Sequence, residues 1–255
     1  MPRTRWVAIL TVWLATVPVV ATAGEPFDAA EETRIRELVR ETLRENPEIV
    51  LEALQILRER QRRAEAEARR QAVVDQRERL LADPDSPVGG NPKGDVTIVE
   101  FFDYRCPYCR AAFPMVRELL ERDGNVRFVY KEWPILGPDS DFAARIALAV
   151  HRTAPDRYEA FHARMYESER VDRETVLAVV AELGLDPVEI ERRALEDPAI
   201  EAEIREVAEL ADSLGISGTP AFVVGDHLIP GLPEAGMLER LVETVRRRRT
   251  GGEEG

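Results

Sequence analysis

The sequence predicts an α/β fold, in which a strand, a helix and a second strand come first and a long helical block follows. Two apolar runs of strand length, Val96–Phe102 and Val126–Tyr130, flank a helical segment. Near-continuous apolar strands are typical of a sheet that is covered on both faces, and the strand–helix–strand order indicates a parallel pair. The sequence therefore predicts a βαβ unit at the centre of the fold.

Residues 138–214 have a helical pattern, and the chain returns to β structure after them. The strands 221–224 and 227–229 flank Gly225-Asp226, which predicts a hairpin, and a last helix is expected over 234–249. Helix starts are expected at Ser140, Asp172, Asp186 and Asp197, and helix stops at Gly184 and Gly215.

Composition limits the classes of partner. The chain has 255 residues, is 44% hydrophobic and 33% charged, and carries a formal net charge of −13. Such an acidic chain is not expected to bind nucleic acid. The basic run Arg246–Arg249 ends a helical pattern, so we interpret it as cations at a helix C-terminus.

The amino terminus resembles a secretory signal. Arg3 and Arg5 precede the apolar run 6–20, and the small-residue pattern 21–23 follows. A membrane anchor is the alternative, but the run falls short of the roughly 20 residues of a spanning helix. We predict a signal peptide over 1–23 and a mature protein in the periplasm or another extracytoplasmic space, where disulfides persist.

An N-terminal helical region is expected over 24–86, with two helices that each carry one narrow apolar stripe. Asn46-Pro47 is expected to supply the N-cap and first residue of the second helix. A catalytic domain follows over 87–249, and a disordered tail over 250–255. The stripes are formed by Ile35, Leu38, Val39 and Leu43 and by Val50, Ala53, Leu54 and Leu57.

The only two cysteines, Cys106 and Cys109, are one helical turn apart. If Cys106 is the N-cap, Pro107 is the first helical residue, and the positive helix end stabilises the Cys106 thiolate. Cys106 would then attack a disulfide, and Cys109 would resolve the mixed disulfide. A zinc half-site lacks two further ligands, and a purely structural bridge over so short a loop removes little chain entropy.

The stretch EFFDYRCPYC, residues 100–109, resembles the active site of the DsbA-like branch of the thioredoxin superfamily. The resemblance implies a thioredoxin fold with a helical domain inserted at about 138–214. Pro114 resembles the kink proline of the active-site helix. Gly218-Thr219-Pro220 resembles the cis-proline loop, which implies that Thr219 and Pro220 bind the substrate backbone.

In that family an acid and a lysine form a buried pair beneath the resolving thiol. The resemblance implies that Glu100 and Lys131 are this pair and that Glu100 relays a proton for Cys109. The alternative is that Glu100 lies at the strand end in water.

The resemblance also implies a thiol–disulfide oxidoreductase that needs no cofactor beyond the redox-active Cys106–Cys109 disulfide. Its partners would be cysteine-containing clients and a membrane redox protein. The motif dipeptide Pro107-Tyr108 departs from the Pro-His of the strongest oxidases and, like Thr219, favours a disulfide isomerase or reductase. A dithiol oxidase is the alternative, and a client-binding chaperone or adaptor and a Cu(I)-binding protein are alternatives of other classes.

The N-terminal region resembles the oligomerisation regions of some DsbA-like isomerases, including trimeric ones linked to copper tolerance. A homo-oligomer is therefore expected. A stalk that folds back onto a monomer is the alternative.

Overall fold

The computed structural model describes residues 27–251, with side chains through Arg249. The expected signal peptide and residues 252–255 of the expected tail lie outside this range. The chain divides into two compact units, Met1–Arg60 and Gln61–Gly255. This division falls within one continuous helix, Glu48–Asp75, and upstream of the predicted boundary between residues 86 and 87.

The secondary structure comprises ten α-helices and five strands within the described range. A 3₁₀ turn, Pro155–Arg157, precedes the sixth helix. The strands are β1 (Val88–Gly90), β2 (Val96–Phe102), β3 (Val126–Glu132), β4 (Ala221–Val224) and β5 (His227–Pro230). The helices are α1 (Ala29–Glu45), α2 (Glu48–Asp75), α3 (Arg77–Leu81), α4 (Pro107–Asp123), α5 (Pro138–Thr153), α6 (Tyr158–Glu167), α7 (Arg173–Glu182), α8 (Pro187–Glu196), α9 (Pro198–Ser213) and α10 (Met237–Gly251).

The first unit contains α1 and the start of α2. Asp28 and Glu31 form a capping box that fixes the start of α1. The prediction that Asn46-Pro47 supplies the N-cap and the first residue of α2 is wrong, because α2 begins at Glu48 and Asn46 is the C-cap of α1. The side-chain amide of Asn46 donates to the carbonyl of Thr42, at 3.2 Å. Helix α1 buries no residue, and the apolar side chains of this unit that are exposed are Phe27, Ile35, Leu38, Val39, Leu43, Ile49, Val50, Leu51, Leu54, Ile56 and Leu57.

The second unit is built on a five-stranded mixed sheet in the order β1-β3-β2-β4-β5. Strands β2 and β3 are parallel and joined through α4, which confirms the βαβ unit. Strands β4 and β5 form the predicted antiparallel hairpin. Five helices, α5 to α9, lie between β3 and β4 in the chain, where the inserted helical domain was expected, and the expected thioredoxin-like fold is confirmed.

The sheet carries a separate apolar core on each face. Ile98 and Phe102 pack with α4, α10 and the helices that follow β3. Val99 and Phe101 pack on the other face with the end of α9. Val73 of α2 and Leu80 of α3 belong to this second core. Successive residues of β2 therefore lie in different environments, as the two-residue period of a strand requires.

Three of the four predicted helix starts are confirmed. Asp172, Asp186 and Asp197 each accept a backbone N–H hydrogen bond as N-cap residues. The start at Ser140 is wrong, because α5 begins at Pro138 and the Ser140 hydroxyl donates to Asp103, at 2.8 Å. A serine that donates a hydrogen bond to a carboxylate distant in the sequence cannot be distinguished from an N-cap serine by its neighbouring residues alone.

The basic end of α10 is held by acids. Arg246 forms ion pairs with Asp95, at 2.5 Å, and Asp123, at 2.9 Å, and Arg248 pairs with Asp226, at 3.4 Å. Helix α10 begins at Met237 and continues through Gly251, into the expected tail. Within residues 27–251 no helix has both the length and the apolar character needed to cross a membrane.

Candidate active site

The loop between β2 and α4 is organised by Asp103, which the sequence analysis did not single out. Its backbone carbonyl accepts the N–H of Cys106, at 3.0 Å. Its buried carboxylate ties the loop to the segment after β3 and to α5. The donors to this carboxylate are the N–H groups of Arg105, Ile135 and Leu136 and the hydroxyl of Ser140.

Cys106 and Cys109 lie at the start of α4 as free thiols. Cys106 is the N-cap and Pro107 is the first helical residue, as the sequence predicted. Cys106 is 4% exposed and Cys109 is fully buried, whereas Tyr108 between them is 61% exposed. Cys106 therefore keeps a small exposed fraction, and Cys109 has none.

The Thr219–Pro220 peptide bond is cis, which confirms the predicted loop. The Cys106 thiol donates to the carbonyl oxygen of Thr219, with 3.2 Å between sulfur and oxygen. The carbonyl of Pro220 accepts the N–H of Gly231, at 2.8 Å, so this loop is tied to the end of β5. The loop and the helix start together form the surroundings of the accessible thiol.

Glu100 lies near the two thiols, on the face of β2 that also carries Ile98 and Phe102. It is 3% exposed, so the alternative that it lies at the strand end in water is wrong. Burial raises the pKa of Glu100 to about 8, and the nearby Cys106 adds to the effect. Burial, and next the charge of Glu100, raise the pKa of Cys109 far above the ordinary range of a thiol. The charge of Glu100 therefore acts on the Cys109 thiol.

The predicted Glu100–Lys131 pair is wrong. In the parallel register Glu100 lies opposite Tyr130, and Lys131 lies opposite Phe101. Strand residues alternate between faces, so the Lys131 side chain enters the other core. There its ammonium donates to the carboxylate of Asp83, at 2.6 Å. Glu100 therefore has a neutral neighbour where a cation was expected.

A buried polar network, which the sequence did not predict, lies next to this site. The hydroxyls of Tyr104 and Tyr158 donate to one carboxyl oxygen of Glu132, at 3.0 and 2.8 Å. His162 lies 3.2 Å from the Tyr104 hydroxyl, and burial lowers the pKa of His162 to about 3. Burial also raises the pKa of Glu132 well above its ordinary range. These residues are 26 to 58 positions apart in pairs, so no local spacing marks them.

The described part of the chain brings one set of potential metal ligands together, Asp83, Asp85 and Glu203. They lie on the far side of the sheet from the thiols. The ammonium of Lys131 already neutralises Asp83, and Ser86 donates to Glu203, at 2.9 Å. The arrangement is that of an ion-paired structural cluster.

Comparisons with known families match two segments of the chain. Residues 97–243, more than half of the chain, match the DSBA-like thioredoxin domain. Residues 31–64 match the N-terminal domain of the copper resistance protein ScsC. The first match contains both cysteines and the cis-proline loop.

Solved structures and a curated relative agree with these matches. A thioredoxin-like oxidoreductase from Silicibacter pomeroyi DSS-3 is 49% identical, with 67% of this chain and 98% of that chain covered and a TM-score of 0.63. Proteus mirabilis ScsC in a transitional conformation is 30% identical, with 87% and 98% covered and a TM-score of 0.64. The probable disulfide bond formation protein D of Bacillus anthracis is 27% identical over 166 residues, which are 60% of this chain and 75% of that protein.

Proposed function

The chain belongs to the DSBA-like thioredoxin domain family of thiol–disulfide oxidoreductases, and from this premise we propose that it rearranges disulfides in client proteins. The observation that carries the proposal is the placement of Cys106. Its thiol is at the start of α4 and 3.2 Å from the carbonyl of Thr219, beside the cis-proline.

The proposed exchange starts at Cys106. Its thiolate attacks one sulfur of a client disulfide, a new sulfur–sulfur bond forms, and the second client sulfur leaves as a thiolate that takes up a proton. A client thiolate then attacks the mixed disulfide, releases Cys106 and leaves the client with a different pairing. This isomerase cycle has no net oxidation or reduction.

Cys109 resolves the mixed disulfide when no client thiolate does so. Its thiol loses a proton to the ionised form of Glu100, and its sulfur attacks Cys106. The client leaves as a dithiol, and Cys106–Cys109 becomes the disulfide. In the reverse direction protonated Glu100 supplies the proton to the departing Cys109 thiolate, so Glu100 serves both directions.

The N-terminal helices support the isomerase over the oxidase. Their exposed apolar stripes fit a second copy of the same helices, and the match of residues 31–64 to the ScsC N-terminal domain points the same way. A homo-oligomer sets several Cys106 thiols around one client at a high effective concentration. The signal-like residues 1–23 favour an extracytoplasmic location, where a membrane redox protein would keep the pair in its working state.

A dithiol oxidase is the second candidate, because the Bacillus anthracis relative is named for disulfide bond formation. A variant in which Cys106 and Cys109 are both serine tests for a chaperone role, and Cu(I) titration of the wild-type protein tests for a copper-binding role. Client protection by that variant would support a chaperone. Tight Cu(I) binding by the wild-type protein that blocks exchange would support a copper protein.

Mixed-disulfide trapping tests the proposal. In Cys109→Ser the resolving thiol is absent, so a client with scrambled disulfides should accumulate on Cys106. Peptide mapping of the adduct identifies the bonded cysteine. Cys106→Ser is the matched control and should trap nothing. Equal trapping by both variants, or by neither, would contradict the assignment.

A further inference from the structure

A cavity of about 440 Å³ lies on the face of the sheet that carries Glu100, between α4 and α6. Phe113, Val116 and Leu120 of α4 give it an apolar wall, and Ala163 of α6 lies across from them. The floor is formed by three buried polar residues, Glu100, Tyr130 and His162. The cavity lies further along α4 than the two thiols, beyond Cys109.

Glu100 has no counter-charge on this floor. Within residues 27–249 its carboxyl group forms neither an ion pair nor a side-chain hydrogen bond, although it is 3% exposed. A buried carboxyl group without such partners is rare, because its desolvation is not offset. The titratable groups that face it or lie near it on the packed elements are Cys106, Cys109, Tyr130, Glu132, His162 and Tyr166.

None of those six groups is a cation near neutral pH. Burial lowers the pKa of His162 to about 3, which keeps its ring neutral. Burial raises the pKa of Tyr130 well above its ordinary value, so its hydroxyl stays protonated. That hydroxyl donates to Glu159 at the cavity mouth, at 3.4 Å.

The mouth is acidic as well. Glu121 and Glu159 line it and are exposed, and Arg117 is the single cation among the lining residues. Arg117 lies 3.8 Å from Glu121 and also 3.8 Å from Glu167 outside the cavity, so its charge is shared. The lining therefore contains three carboxyl groups and one guanidinium, and it favours a cationic ligand over an anionic one.

We propose that this cavity is a binding site for a primary ammonium group on an apolar chain. The carboxylate of Glu100 is the counter-charge, and Phe113, Val116 and Leu120 cover the chain. Apolar walls with one well-placed polar group are the usual composition of small-molecule sites. The ammonium has three donors, which suits a carboxylate with no other partner. The same chemistry is found in a free alkylamine and in a lysine side chain of another protein.

The proposal requires a particular pH dependence. The pKa of Glu100 is raised to about 8, so the carboxylate that binds the cation is a minor species at pH 6.5 and the major one at pH 9. Apparent affinity scales with the population of the competent form, so it should rise by more than about tenfold over this range. The ammonium itself stays charged there, since its pKa lies near that of lysine, about 10.4.

Three six-carbon probes test the site on the full-length reduced protein by titration calorimetry: hexylammonium chloride, 1-hexanol and sodium hexanoate. At pH 9 hexylammonium should bind most tightly and hexanoate least. Binding of 1-hexanol should not change between pH 6.5 and pH 9. N-acetyl-lysine methylamide is a fourth probe. Its binding would assign the natural cation to a lysine side chain, and its failure beside hexylammonium binding would assign it to a free amine.

Glu100→Gln removes the counter-charge and should abolish both the preference for hexylammonium and its pH dependence. Retained binding of 1-hexanol by this variant shows that the cavity is still formed. Glu121→Gln, at the mouth, is the matched control and should keep most of the preference. Equal affinities of hexylammonium and 1-hexanol for the wild-type protein at pH 9 would overturn the proposal, as would a preference that survives in Glu100→Gln.

Discussion

The thiol of Cys106 and the carbonyl oxygen of Thr219 are joined by a hydrogen bond of 3.2 Å across the gap between α4 and the cis-proline loop. The bond holds the sulfur at the edge of the site, where 4% of the residue is exposed. An extended client segment that reaches Cys106 would therefore pass beside Thr219 and Pro220.

Alkylation should distinguish Cys106 from Cys109. In the reduced protein at pH 6, iodoacetamide should modify Cys106 at least about tenfold faster, because Cys109 is fully buried and its pKa is raised by burial. Mass spectrometry of timed samples measures both rates. Cys106→Ser should leave Cys109 unmodified until denaturant is added. Comparable rates for the two thiols in the folded protein would refute the assignment.

Replacement of Glu100 by glutamine should change how stability depends on pH. The pKa of Glu100 is raised from 4.5 to about 8, so the unfolded carboxyl group loses its proton first as pH rises. In the wild-type protein, the contribution of Glu100 to the free energy of unfolding is fully present below about pH 4.5. It is lost as the pH rises to about 8. The free energy of unfolding of Glu100→Gln should therefore rise by a few kcal/mol relative to that of the wild-type protein between about pH 4.5 and about pH 8. Urea denaturation at pH 5 and pH 8.5 measures it, and a constant difference between the proteins would contradict the buried, uncompensated state.

Glu100→Gln should also slow the resolution of mixed disulfides. Loss of a positioned proton acceptor costs about 100-fold or more in comparable reactions. Stopped-flow release of a client peptide from Cys106 measures the step, while Cys106 alkylation should stay near the wild-type rate. Lys131→Met is the control, because Lys131 pairs with Asp83 on the other face of the sheet. Equal slowing in both variants would argue against a specific role of Glu100.

Truncation at two different points tests where the catalytic unit begins. A chain that starts at Gln61 keeps Val73 and Leu80, which are buried in the second core, and it should fold. A chain that starts at Ala82 loses both side chains. Its unfolding free energy should be lower by about 3 kcal/mol or more, since each buried aliphatic side chain contributes roughly 1.5–3 kcal/mol. Identical melting of the two chains would show that the end of α2 and α3 do not belong to the folded unit.

Local sequence patterns predicted the elements near the thiols but not every contact between them. Apolar runs predicted the strands β2 and β3. Capping chemistry predicted the helix starts at Cys106, Asp172, Asp186 and Asp197. These features depend on residues within a few positions of each other. They could therefore be predicted without knowledge of the tertiary packing.

The predicted contact that is wrong, the Glu100–Lys131 pair, depends on strand register and on a partner that is distant in the sequence. Lys131 directly follows the predicted strand, but the strand extends to Glu132, and its alternation sends Lys131 away from Glu100. Asp83, the partner of Lys131, is 48 positions away, near the end of the predicted N-terminal region. A one-residue change of phase moves a side chain to the opposite face.

We propose that Cys106 repairs wrong disulfides in client proteins and that the N-terminal helices are needed for this repair. The test compares the full-length protein with the chain that starts at Gln61, at equal Cys106 concentration. The two readouts are reactivation of a scrambled-disulfide substrate and oxidation of a dithiol peptide. Light scattering should show an oligomer for the first and a monomer for the second. We predict that only the full-length protein reactivates the scrambled substrate, while both chains oxidise the dithiol peptide equally fast. Equal reactivation by the two chains, or a full-length protein that is monomeric and faster as a dithiol oxidase than as a repair enzyme, would contradict the claim.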